Sequence, residues 1–382
     1  MHKQDTNRRE FLKTTSIIGI ALGAFSFGGG FVPLLAREPI SSLPKRTLGK
    51  GSYALEVSAL AFGCMGLNYH RSQNLSKNEA RKILEAAINA GITLFDTAQV
   101  YGPDTNEILV GELLKPYNKR IFIATKFGFG KEGDKAGDWV LDSSPKRIRE
   151  VVENSLKRLH LEQIPLLYQH RADPKTPIEE IASTVKELIK EGKVARFGVC
   201  ELSATTIQKA HRICPITAVQ SEYHLMWRNV ESELFPTLEK LGIGFVAYSP
   251  LNRGYLSGKL NKNSTFDPTN DNRQTLPRFE PNAMEANYQI IEILKAFGRG
   301  KNPHSKDKNA SPAQVAIAYL LAKKPYIVPL FGTTKREHLS ENMNSLSLKL
   351  TQADLKELDT ALDKVQIVGD RYPIEQANRV GK

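Results

Sequence analysis

FDTAQVYG, residues 95–102, begins at the end of a short apolar run and closes on a phenol, and its reading decides the fold. The run 93–96 has the length and aliphatic-aromatic content of a buried strand, and the polar turn behind it carries Asp96 and Tyr101. IFIATKFG (121–128) and LLYQHR (166–171) repeat the pattern, each an apolar strand-like run ending on a polar group, Lys126 and His170. Singly, each residue has an ordinary structural explanation: a turn cap, a solvated loop lysine, a packed tyrosine, a core histidine. Together they put four functional groups at the ends of predicted strands two, three and four. That is where (β/α)8 barrels carry their chemistry.

Working outward, strands are predicted over 58–62, 93–96, 121–125, 164–169, 195–199, 218–220, 244–248 and 326–329. Between them lie helical periodicities such as 77–90, 145–159, 178–191, 203–213 and 232–241, several closed by Gly91, Gly192 or Gly242. Alternation of this kind predicts a parallel sheet with helical crossovers. Eight strands close a barrel, so the expected fold is a (β/α)8 TIM barrel, with an open doubly wound sheet as its competitor. The insertions 128–144 and 252–283 follow strand ends and are expected over the active face, together with the tail from Gln366 onward. GFGKEG (128–133) matches a dinucleotide-binding glycine pattern, but a polar stretch follows it instead of a helix, so it reads as a loop.

The four groups suit proton delivery to a carbonyl. A free tyrosine titrates near pH 10 and is a weak acid at neutrality. A neighbouring ammonium favours its phenolate, a carboxylate holds that ammonium in place, and an imidazole orients the carbonyl oxygen. An unrelated barrel hydrolase needs paired carboxylates. Asp96 and Glu201 are the only obvious pair, and that reading leaves Tyr101 and Lys126 without a role.

FDTAQVYG, IATKFG, LLYQHR and VPLFGTTKREHLSEN (328–342), with FGVCELSATTIQKAHRICPITAVQSEYHLMWR (197–228) and VAYSPLNRGYLSGKL (246–260), resemble the aldo-keto reductase family from about Lys45 to Arg371. The resemblance is to bacterial NADP-dependent members. It implies reduction of an aldehyde or ketone, with Tyr101 as general acid, Asp96 and Lys126 tuning it, and His170 orienting the substrate. It also implies NADPH lying across the C-terminal face. Glu201 and Gln220 fall where the family holds the nicotinamide amide, although much of the family has Ser-Asn where Cys200-Glu201 stand, and Gly63, Cys64 and Met65 are further expected cofactor positions. Tyr248 is placed to stack on the ring, and Ser249, Leu251 and Arg253 to line the pyrophosphate. Gly332, Thr333, Thr334, Lys335 and Arg336 form a basic loop suited to the 2′-phosphate, followed by His338, where many members have Arg, and by Glu341 and Asn342 near the adenine. The alternative from the same resemblance is a slow-turnover, NADPH-binding redox sensor or regulatory subunit.

The first 36 residues read as an address. Arg8-Arg9 precedes Phe11-Leu12-Lys13, and residues 14–36 carry no charge and five glycines before Ala36. This resembles a twin-arginine export signal, so the expected organisation is a signal over 1–36 and one barrel domain over 37–382. Periplasmic export through the twin-arginine machinery is expected, with no stable membrane association after cleavage; an uncleaved anchor is the alternative. The net charge is +12, but no long Lys/Arg run occurs, and nucleic acid is not an expected partner. Cys64, Cys200 and Cys214 form no CxxC pair and read as packing residues, and the histidines form no metal-binding spacing.

Overall fold

The computed structural model describes residues 43–70, 74–131, 139–301, 308–378 and 380–381. The segment 1–36 expected to direct export lies outside them. Eight strands form the centre: β1 Ala61–Gly63, β2 Leu94–Asp96, β3 Phe122–Phe127, β4 Leu166–Gln169, β5 Phe197–Cys200, β6 Ile216–Glu222, β7 Gly244–Tyr248 and β8 Ile327–Phe331. Each pairs in parallel with the next, and β8 returns to β1 through Leu330 opposite Ala61 and Phe331 opposite Phe62. That closing pair makes the sheet a (β/α)8 barrel and excludes the open alternative.

Around it run α1 Lys77–Asn89, α2 Thr105–Leu114, α3 Pro145–Leu159, α4 Ile178–Lys190, α5 Ala204–Ile213, α6 Val230–Glu233, α7 Phe235–Leu241, α8 Pro281–Gly298, α9 Pro312–Lys323, α10 Arg336–Met343 and α11 Gln352–Leu362. Their starts follow capping chemistry: Ser76 with Glu79 and Ser311 with Gln314 form reciprocal boxes that satisfy N–H groups left over at the first turn. Buried Val151, Ile181, Val185, Leu188 and Ile207 fill the layer between helices and strands. The helix expected over 232–241 is broken at Leu234, because Pro236 has no N–H to continue a hydrogen-bond ladder from α6.

Two hairpins depart from the expected pattern. The strand expected over 58–62 is two strands: Leu55–Ser58 pairs antiparallel with Lys45–Leu48, and β1 begins only at Ala61. This hairpin closes the N-terminal end of the barrel. Leu48, Leu55 and Val57 are buried with the barrel-interior residues Ala61, Leu94, Ala124, Leu166 and Val328. Arg46 bonds the carbonyls of Lys324 and Ile327 at 2.7 and 2.5 Å, and Thr217 Oγ1 donates to the Tyr53 carbonyl at 2.7 Å. The second hairpin lies beyond β3, where a loop was expected: Phe129–Lys131 pairs antiparallel with Trp139–Leu141. At the C-terminal end, the tail crosses the barrel mouth as expected, tied by Val368 N–H to Asn287 Oδ1 at 2.9 Å.

Candidate active site

The strands carry the four groups into one cluster, though not all past their ends. Asp96 is the last residue of β2, Lys126 lies inside β3, and His170 directly follows β4. Because side chains alternate along a strand, this phase turns Lys126 into the barrel. Its ammonium is 1% exposed and donates to Asp96 Oδ1, to the Thr97 carbonyl at 2.8 Å and to Tyr101 Oη at 3.4 Å. The Thr97 carbonyl is a partner that sequence reasoning did not supply. Gln220 Nε2 donates to Asp96 Oδ2 at 2.8 Å, so Gln220 completes the carboxylate's shell.

Tyr101 is half-buried and reaches the cluster from the β2–α2 turn. Thr97 Oγ1 pins that turn to Asn106 at 2.6 Å, and Asn106 Nδ2 bonds the Cys64 carbonyl at 2.9 Å. Arg158 Nε bonds buried Glu107 at 2.7 Å, bracing α2 against α3. The His170 ring meets the Tyr101 ring edge-on at 5.7 Å and the Phe129 ring at 5.3 Å, so the second hairpin forms one wall. Tyr69 stands 6.1 Å from the Tyr101 ring, as a pocket wall.

Electrostatics refine the sequence expectation. Burial raises the Tyr101 phenol above its ordinary value, and the opposing pull of Lys126 does not overcome it. Tyr101 therefore stays protonated at neutrality, as a proton donor must. Burial works against the Lys126 ammonium, but Asp96, Tyr101 and Cys200 outweigh it and hold it charged. Burial, then Arg171 and Lys126, push His170 well below the ordinary histidine value, so its imidazole is neutral. Burial pushes the Cys200 thiol up to about 12, consistent with a packing role. All three cysteines are buried and unpaired. Among the described residues, no cluster of His, Cys, Asp or Glu is arranged to hold a metal ion.

The predicted cofactor positions spread across the same face. Gly63, Cys64 and Met65 follow β1, and a Cβ added at Gly332 would lie 2.8 Å from the Gly63 carbonyl, so only glycine admits that approach between β8 and β1. After β7, Ser249, Asn252 and Arg253 all have φ between 44° and 53°, and Gly254 has φ 99°. Left-handed backbone at three non-glycine residues costs on the order of 1–3 kcal/mol each and gathers at ligand clamps. Asn252 Oδ1 is buried there without a hydrogen-bond partner among the described residues. At the far end, α10 starts on Lys335 without a side-chain cap, and Lys335 and Arg336 are exposed without an ion pair among the described residues. Uncapped N–H groups and two cations suit a phosphate. His338, lowered by burial and by Lys259, is neutral, and Glu341 faces Lys259 at 3.3 Å while Asn342 is buried. A strained anion-ready loop, an orphaned amide oxygen and a basic helix start fit an extended dinucleotide.

Glu201 also has a charged partner within the protein. Glu201, expected beside the nicotinamide amide, is 5% exposed and already holds Arg371, through Nη1 at 2.9 Å and through Nη2. Arg371 Nε also donates to Glu222 at 2.7 Å and Nη2 to Tyr248 Oη at 2.7 Å. Trp227 lies under both Arg371 and Arg278, 5.2 and 5.3 Å from its ring. Arg171, Glu222, Arg371 and Tyr372 were not singled out from sequence. The Arg-Tyr pair lies in a tail without periodicity, and only long-range folding brings it to the mouth.

Comparison with known proteins identifies the family. The model of the Aldo/keto reductase family matches residues 59–363. "Probable aldo-keto reductase 1" of Glycine max is 41% identical over 323 residues, covering 84% of this chain and 90% of that protein. Among solved structures, the glycerol dehydrogenase of Gluconobacter oxydans superposes with a TM-score of 0.74 at 28% identity, covering 84% of this chain and 96% of that one. An aldo-keto reductase from Bacillus halodurans, in its holo form, gives 0.66 at 25% identity with the same coverages, 84% and 96%.

Proposed function

Because the chain belongs to the aldo/keto reductase family, whose members use nicotinamide cofactors, we propose that it reduces an aldehyde or ketone to an alcohol with NADPH. The observation carrying this reading is the placement of Lys126 between Asp96, the Thr97 carbonyl and the Tyr101 hydroxyl. When bound, the nicotinamide supplies a hydride to the carbonyl carbon. As the π pair moves onto oxygen, the Tyr101 hydroxyl gives that oxygen its proton. Lys126 stabilises the phenolate left behind, and Asp96 keeps Lys126 charged and aimed. Neutral His170 offers an N–H to the carbonyl oxygen and so fixes which face of the carbonyl carbon meets the hydride. Preference for the 2′-phosphorylated cofactor rests on Lys335 and Arg336.

The test is NADPH consumption by the purified chain with a panel of small aldehydes and ketones. Oxidation that disappears in Tyr101→Phe supports the reading. Tight binding without oxidation by the wild type supports the sensor or subunit reading instead. We also propose twin-arginine export, on the strength of Arg8-Arg9 and the uncharged stretch behind them. A reporter fused after residue 36 is expected to reach the periplasm and to lose that address in R8K/R9K; export unaffected by that change excludes it.

A further inference from the structure

Arg371 is 8% exposed, and its guanidinium binds three groups of the barrel mouth at once. It donates to Glu201 beyond β5, to Glu222 at the end of β6 and to the Tyr248 hydroxyl at the end of β7. The next residue continues the network. Tyr372 Oη lies 3.0 Å from Tyr248 Oη and accepts from Arg253 Nη2 at 3.2 Å, with the Arg253 guanidinium 5.3 Å from the Tyr372 ring. Arg253 is itself 3.7 Å from Glu222. The tail therefore compensates Glu201 and shares Glu222 with the β7 loop, and both carboxyls are held below their usual range against the opposing effect of burial, Glu201 chiefly by Arg371 and Glu222 by Arg253, then Arg371.

We propose that Arg371 is a positioning residue for the dinucleotide: through Tyr248 and Glu201 it builds the nicotinamide wall, and through Tyr372 it sets Arg253, so both halves of the site assemble only when the C-terminal segment is docked. The inference rests on the nicotinamide reading above. It assigns the tail a part in holding the cofactor, beyond any part in shaping a substrate pocket. The forked guanidinium matters because it satisfies three acceptors in fixed directions, which an ammonium cannot do. The docking is set by Gly369, whose φ is 85° and whose added Cβ would lie 2.7 Å from the Pro277 carbonyl.

The experiment follows nicotinamide fluorescence during NADPH binding and release by the full chain, in wild type, Arg371→Lys, Tyr372→Phe and Gly369→Ala, with melting curves alongside. Gly369→Ala displaces the tail without altering any group of the network. Expected are dissociation rates about 10- to 100-fold faster in Arg371→Lys and Gly369→Ala, and a smaller rise in Tyr372→Phe, while the variants remain folded. Emission should also shift as the nicotinamide wall loosens. Wild-type binding with unchanged release in folded Arg371→Lys and Gly369→Ala overturns the inference and leaves the cofactor reading standing. Absence of NADPH and NADH binding to the wild type overturns the cofactor reading, and the inference with it. Should one variant not fold, Tyr372→Phe decides alone, and release at the wild-type rate counts against the proposal.

Discussion

Replacing Asp96 with Asn keeps the shape of the side chain and removes its charge. Lys126 is then a buried ammonium facing a neutral amide, with the Thr97 carbonyl as its remaining strong acceptor. Gln220 adapts, because rotating its amide presents an oxygen to the new NH2. Lys126 does not adapt, since its nitrogen is enclosed in the barrel beside Thr97 and its side chain is 0% exposed. Removing one member of a buried pair costs about 3–5 kcal/mol. At roughly 2.1 cal/mol/K of unfolding entropy per residue, that loss is a melting shift of about 4–7 °C for a barrel this long. The same change lowers the Lys126 pKa and weakens its hold on the Tyr101 phenolate, so turnover falls with stability. A double-mutant cycle with Lys126→Met separates the pair from its surroundings. Replacing both partners removes the unpaired charge, and the double variant is expected to recover about 2–3 kcal/mol relative to additivity. Calorimetry on the four proteins reads this directly. Additive losses, or an Asp96→Asn variant melting within a degree of wild type, would refute the reasoning that Asp96 is the counter-charge of Lys126.

Tyr101→Phe should lose turnover by about 10²- to 10⁴-fold, while NADPH affinity, read by fluorescence, stays nearly constant. The pH profile of carbonyl reduction follows from two shifts. His170 lies well below its ordinary value of 6.5 and Tyr101 above 10, so neither titrates between those limits. The rate should be flat across that interval as far as these groups govern it, and an acid limb near pH 6.5 assigned to His170 by Gln substitution counts against its neutral role. Lys335→Ala with Arg336→Ala should raise the KM for NADPH about tenfold or more and leave NADH nearly unchanged, in steady-state assays with each cofactor. Equal effects on both would place the 2′-phosphate elsewhere.

Alternation of eight apolar runs with helical periods was enough to read the barrel, and the polar residues within FDTAQVYG, IATKFG and LLYQH were enough to expect the cluster that the strands bring together. What escaped depended on pairings that local preference does not reveal. Residues 58–62 are uniformly strand-like, and only packing under the barrel splits them between a hairpin and β1. The hairpin beyond β3 carries polar and glycine residues that locally favour a loop, and antiparallel pairing overrides them. Arg371 has no local signal. Its importance comes from Glu201 and Glu222, 170 and 149 residues away.

The N-terminal hairpin also bears on how protons would move. Leu48, Leu55 and Val57 are buried with the barrel-interior residues, so the floor beneath the candidate cluster is apolar. Lys126 and Asp96 are enclosed, and half-buried Tyr101 is the member of the trio that reaches toward solvent. On the proposed mechanism each turnover strips Tyr101 of a proton, and replacing it from the mouth means passing the tail and any bound ligand. Recharging that acid and exchanging the reactants would then share the mouth, and a solvent isotope effect is expected to respond to changes in its walls, such as Tyr69 or Phe129.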